Sequence, residues 1–129
     1  MIEVTCAIIF KDRKVLATRR SSTMPHPLKW EFPGGKLKGS ESPGACIKRE
    51  ILEELGVEIN PLEVLEPVEH HYDSRSVRLI PVICTITKGF ISLSEHQEYR
   101  WVGYDELDEL DWLGADLGVV EMIRNLLCL

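Results

Sequence analysis

The chain opens on Ile2 to Phe10, a mostly apolar, β-rich run that predicts a largely buried strand. The polar stretch Lys11-Asp12-Arg13-Lys14 reads as a turn, and Val15 to Arg20 as a second strand forming a hairpin with the first. Ser21 to Lys29, with two prolines and His26, reads as a loop. The pattern then becomes helical, because Ile47, Ile51 and Leu55 recur every fourth residue. Ser42 before Pro43 supplies a cap and a first helical residue that loses no useful N–H. Gly56 stands where a left-handed residue ends a helix. Glu58 to Tyr72 should contain a strand, interrupted near Pro61 and Pro67. Ser76 to Thr87 is a β-branched run that pairs back as a hairpin, and Pro81 within it suggests an edge or a bulge. Arg100 to Gly103 is a short strand. Asp116 to Leu127 is a last amphipathic helix, capped by Asp116, with Val119, Val120, Ile123, Leu126 and Leu127 inward. Alternating strands and two principal helices predict an α/β protein, a mixed sheet covered on both faces.

Composition narrows the picture. At 129 residues the chain reads as one domain, residues 1–129, with room for a core. Apolar residues make up 44% and charged residues 28%, and no apolar run approaches a membrane span. The N-terminus lacks the basic leader and cleavage site of a signal peptide. Cys6, Cys46, Cys84 and Cys128 form no CxxC pair, so they read as reduced, mostly buried thiols of a cytoplasmic protein rather than as zinc ligands. The formal charge of −6 argues against a nucleic-acid polymer as partner. Capturing a polyphosphate would require a bound cation and a few local basic residues to reverse the local field.

The helix after Ser42 concentrates such chemistry. Glu50, Glu53 and Glu54 fall in a stripe roughly 100° wide beside its apolar face. Like charges at these spacings cost about 0.2–0.5 kcal/mol per pair, and they face the negative end of the helix dipole. A hard divalent cation removes both penalties, since Mg²⁺ takes oxygen ligands from a few carboxylates plus substrate phosphate. Without more context the same residues also read as a solvated face, helped by Lys48 and Arg49.

The spacing supplies that context. Gly35, then Glu41, then Arg49-Glu50-Ile51, Glu53-Glu54 and Gly56-Val57 resemble the Nudix box at every defining position. The resemblance implies an α/β/α sandwich and a hydrolase of nucleoside diphosphates linked to another moiety. Trp30 to Lys36, WEFPGGK, resembles the segment that precedes the box in the MutT-like subgroup. It implies the Gly34 carbonyl as a metal ligand beside Glu50, Glu53 and Glu54, and Lys36 facing phosphate. Arg20 matches an arginine that reaches the nucleotide, whereas Arg19 reads as solvated and Phe32 as core. Glu95, ahead of Glu98, matches an acidic loop residue near the metal. Glu50 or Glu54 would orient or deprotonate the attacking water, with Glu95 in reserve. Glu41 and Arg49 would form an ion pair fixing the loop before the helix, with Gly35 and Gly56 as structural positions of the box. Arg75 and Arg78 either bring positive charge to the substrate mouth or are solvated. His70 and His71 are adjacent in a strand and so point to opposite faces, which argues against a metal pair. Tyr104 to Leu110 resembles the short helix that opens the C-terminal part of these proteins.

Trp112 to Asp116 resembles the stretch where the subgroup carries a base-reading residue. The 8-oxoguanine-specific members have asparagine there, and this chain has aspartate. An ionised aspartate only accepts hydrogen bonds. It suits the N4 amino group of cytosine, or N1–H and N2–H₂ of a guanine-type base, and disfavours thymine. The first reading is therefore a Mg²⁺-dependent (Mn²⁺ substituting) pyrophosphohydrolase of small nucleoside triphosphates, a monomer or homodimer with no membrane partner. It would clear 8-oxo-dGTP or cytidine nucleotides from the pool. Tyr72 keeps open a dinucleoside polyphosphate hydrolase. A silent nucleotide-sensing module is a third reading, although such modules commonly lose box carboxylates and none is missing here.

Overall fold

The computed structural model describes residues 1–127 and is built around its first strand. β1 (Ile2–Lys11) turns back through Asp12 and Arg13, both at positive φ, into β2 (Lys14–Arg19). β3 (Trp30–Glu31) continues the sheet beyond β2. β4 (Gly34–Lys36) pairs with β1. After helix α1 (Pro43–Leu55) come β5 (Glu58–Val64), β6 (Val68–Tyr72) and β7 (Arg75–Lys88). β7 runs parallel to β1 and antiparallel to β5 and β6, so the sheet is mixed, as predicted. β8 (Glu98–Val102) pairs with β2, and helix α2 (Leu117–Leu127) follows two short 3₁₀ turns.

Strand alternation explains why β1 and β2 carry so few polar residues. Cys6 and Ile8, with Val15 and Ala17, pack with Val119, Val120, Ile123 and Leu127 of α2. Ala7 and Ile9, with Leu16, point the other way and pack with Ile47, Ile51 and Leu55 of α1. Both faces of these strands are therefore covered, and the polar side chains buried on them, Thr5 and Thr18, hydrogen-bond to the Gly35 and Glu31 carbonyls. Cys6, Cys46 and Cys84 are buried free thiols; Cys128 lies outside the described residues.

The ends of α1 follow the residues predicted to cap it. Ser42 Oγ accepts from the Ala45 N–H at 3.1 Å, and Gly56, at φ 69°, donates its N–H to the Leu52 carbonyl at 3.0 Å.

Two local expectations are corrected. Pro81 is not at an edge, since β7 lies inside the sheet. It falls where the neighbour of β7 changes from β6, which ends its pairing at Leu79, to β5, which begins at Val82. The Pro81 carbonyl accepts from Leu65 N–H at this changeover. The amide missing from proline faces the same side, where the ladder is already interrupted. Leu126 is not inward but 38% exposed, because it lies off the stripe set by Val119, Ile123 and Leu127.

Candidate active site

The packing of β4 against α1 brings the glycines of one segment to the carboxylates of the other. Gly34 N–H donates to Glu54 Oε1 at 3.1 Å. A Cβ on Gly35 would run into the Glu50 carboxylate, and one on Gly34 into the backbone carbonyl of Thr5. The two positions therefore differ in what must yield. Gly34→Ala should cost about 2 kcal/mol or more, because backbone of the central strand has to move. Gly35→Ala displaces a side chain, so turnover should fall with a smaller loss of stability. Thermal melts alongside initial rates check the contrast, and equal loss of stability in the two variants would contradict it.

The carboxylates have unlike surroundings. Burial, then the charges of Glu31 and Glu50, push the Glu54 carboxyl up to about 8. Glu50 is held by Arg49 Nη1 at 2.7 Å, and the more exposed Glu53 lies 3.7 Å from the same nitrogen. Arg49 also grips Glu41, with Nη2 2.6 Å from Oε1 and Nε 3.3 Å from Oε2. That hydrogen bonding holds the Glu41 carboxyl down at about 2, and the expected ion pair is present. Glu95 is exposed, and its charge adds to the upward push on Glu54. Glu98 instead pairs with Arg19 at 2.9 Å.

Among the described residues, no three His, Cys, Asp or Glu side chains converge on one point suited to a metal ion. The donor set nonetheless fits a hard divalent cation in its chemistry. Every donor is an oxygen, and Glu54, raised first by burial and then by the neighbouring charges of Glu31 and Glu50, sits where a cation would be welcome. In this arrangement Arg49 supplies part of the compensation.

Gly34 also lines a cavity of about 210 Å³ on the other side, with Arg20, Glu31, Phe32, Tyr72 and Asp116. Asp116 is 4% exposed, and its Oδ2 accepts from Phe32 N–H at 2.8 Å. It ends the 3₁₀ turn Gly114–Asp116 and does not cap α2, which corrects the N-cap expectation. Burial first, and the charge of Glu31 second, push its carboxyl well above the usual carboxylate range. The shift favours the protonated form, and a protonated Asp116 would also donate. Tyr72 Oη accepts from Ala115 N–H at 3.1 Å, and its ring is flanked by His70 and His26. His71 is bonded instead to Ser76, so the two histidines do not form a pair.

Phe32 is buried and stacks on Trp112, as a core residue should. Arg20 lies at the cavity wall, paired with Glu31 at 2.9 Å. Lys36 has an exposed side chain on β4, at the start of the box. Arg75 sits exposed at the β6–β7 turn and is not part of the cavity wall. Glu31, on the cavity wall, and His96, bonded to it, are residues that the sequence pattern passes over. Their only signal was an acid placed between two aromatics, Trp30 and Phe32, and a histidine following Glu95.

Comparison with known proteins agrees with this geometry. Residues 1–121 match the NUDIX domain. The chain is 31% identical over 126 residues to the CTP pyrophosphohydrolase of Escherichia coli (strain K12), covering 98% of this chain and 93% of that protein. It is 26% identical to an 8-oxo-dGTP diphosphatase of Buchnera aphidicola (subsp. Schizaphis graminum), over 96% of this chain and 94% of that one. Among solved structures, the MutT protein of methicillin-resistant Staphylococcus aureus 252 is 40% identical, with a TM-score of 0.75 over 96% of this chain and 95% of that one. Box, cavity and relatives agree: the chain belongs to the Nudix hydrolase family, among its MutT-like members.

Proposed function

We propose that this hydrolase is a divalent-cation-dependent nucleoside triphosphate pyrophosphohydrolase, converting a triphosphate to the monophosphate and pyrophosphate. The observation that carries this reading is the junction at Gly34, whose N–H holds Glu54 while the same residue borders the cavity containing Asp116. A nucleoside in that cavity would lay its phosphates toward the box. Glu50, Glu53, Glu54 and the Gly34 carbonyl are the residues that would hold Mg²⁺, or Mn²⁺ in its stead. When bound, the ion supplies neutralisation of the phosphoryl oxygens and a more acidic water. Glu50 or Glu54, with Glu95 in reserve, would orient the attacking water or accept its proton. Arg20 and Lys36 contribute the positive charge that the net −6 of the chain otherwise denies a polyphosphate.

Asp116 is the base-reading group. The relatives named for CTP and for 8-oxo-dGTP support the two base classes that offer donors to a carboxylate. Tyr72, whose hydroxyl is engaged by Ala115, serves as a wall for one nucleoside and does not call for a second. The cellular role is clearance of unwanted nucleotides. Specificity constants for dCTP, CTP, 5-methyl-dCTP, 8-oxo-dGTP and dTTP test the reading. One of the first four should lead and dTTP should trail by about tenfold or more. Tight nucleotide binding without hydrolysis would instead mark a sensor.

A further inference from the structure

Glu31 is gripped from two sides. Its Oε1 accepts from Arg20 Nη1 at 2.9 Å, and its Oε2 lies 2.9 Å from His96 Nε2. The three side chains come from the residue just past β2, from β3 and from the segment before β8. His96, with a side chain 2% exposed, is the buried residue of the stretch Gly89 to Gln97. A carboxylate only accepts, which puts the hydrogen of the Glu31 bond on Nε2. Nδ1 is then buried without a hydrogen-bond partner among the described residues. An orphaned polar atom of this kind costs stability, and an apolar ring would fill the space without that cost. The imidazole is therefore accounted for by what Nε2 holds. Glu31, so held, fixes Arg20, whose Nε also donates to the Pro25 carbonyl at 2.7 Å. These bonds use Nε and Nη1, and among the described residues nothing takes Nη2, which leaves it for a ligand. A long side chain oriented before binding forfeits less freedom when the ligand arrives.

We propose that His96 is a positioning residue: by holding Glu31 it orients the Arg20 guanidinium for a nucleotide in the adjoining cavity. The proposal rests on the nucleotide reading of that cavity. Because the bond runs through Nε2, the two amide substitutions should separate. Glutamine places a donor near Nε2, whereas asparagine reaches only the Nδ1 position.

The test uses the full chain without metal, with a nucleoside monophosphate as probe. One readout is its dissociation constant, and the other is hydrogen exchange at Arg20 Nε–H by ¹⁵N NMR. His96→Ala and His96→Asn should each weaken binding about tenfold and speed exchange by a similar factor, as loss of one charge-assisted hydrogen bond implies. His96→Gln should recover most of both. In an Arg20→Ala background, His96→Asn should change affinity no further. Unchanged affinity and exchange in His96→Asn would overturn the proposal, and so would equal losses in the glutamine and asparagine variants. Additive losses on top of Arg20→Ala would overturn it as well. Should His96→Ala fail to fold, the two amide variants carry the comparison alone. Absence of nucleotide binding in the unaltered chain would defeat the functional reading, and the exchange measurement would still decide the positioning claim.

Discussion

Glu54→Gln is expected to lower kcat by about a thousandfold or more, while raising the melting temperature of the metal-free protein near neutral pH. The two effects have one cause. Glu54 is buried beside Glu31 and Glu50, and its carboxyl is pushed from 4.5 up to about 8. The folded state thus holds this proton more tightly than the unfolded state does. The stability that the group contributes is fully present below about 4.5 and is lost as pH rises through about 8. A shift of this size corresponds to a loss of at most about 5 kcal/mol across the window. Glutamine keeps the shape and carries no charge, so the variant should melt with a flatter pH profile. A divalent cation must displace the same proton, so metal affinity should rise with pH over the same window. Glu53 is more exposed, and Glu53→Gln should cut turnover with little change in melting temperature. Melts in EDTA at pH 6 and pH 9, with rates at ordinary Mg²⁺, check both variants. Full activity in Glu54→Gln, or a lower melting temperature at both pH values, would contradict the assignment.

Asp116→Asn should change which base is preferred by about tenfold or more, with a smaller effect on the best rate. Asp116→Ala should mainly raise KM. The carboxyl is 4% exposed, and one oxygen already takes the Phe32 N–H at 2.8 Å. The other oxygen is what remains to read a base. Ionised, it accepts, which suits cytosine N4–H₂ or the N1–H and N2–H₂ edge of a guanine-type base. Protonated, as burial favours, it can also donate to a carbonyl. Asparagine always offers both, so it resembles the protonated acid. Discrimination against dTTP should therefore sharpen as pH rises in the unaltered enzyme and stay flat in Asp116→Asn. Specificity constants for dCTP, 8-oxo-dGTP and dTTP at two pH values measure this. If both variants keep the original ranking of bases, Asp116 does not read the base.

Much of this architecture is legible locally. The dense apolar runs of β1 and β2 announce strands covered on both faces, and Ser42, Pro43 and Gly56 mark the ends of α1 within one residue. The ion pair between Glu41 and Arg49 follows from box spacing, because the two are joined through one loop and two helical turns. What was not legible depends on partners far away in sequence. Pro81 looks like an edge residue until the changeover from β6 to β5 is seen. Asp116 looks like an N-cap because the amide it binds lies 84 residues earlier. Glu31 and His96 are 65 residues apart, and neither sits in a periodic pattern that would signal burial. Leu126 falls within the amphipathic helix and is apolar, but the buried stripe of Val119, Ile123 and Leu127 runs past it.

The central claim is cleavage that leaves a monophosphate, with the base in the cavity and the phosphates at the box. Its most direct test is product analysis after a single nucleoside triphosphate is incubated with the enzyme and Mg²⁺. Ion-exchange separation with ³¹P NMR should find nucleoside monophosphate and pyrophosphate in equal amounts, with no product in EDTA. Nucleoside diphosphate and orthophosphate from every triphosphate tried would contradict the account.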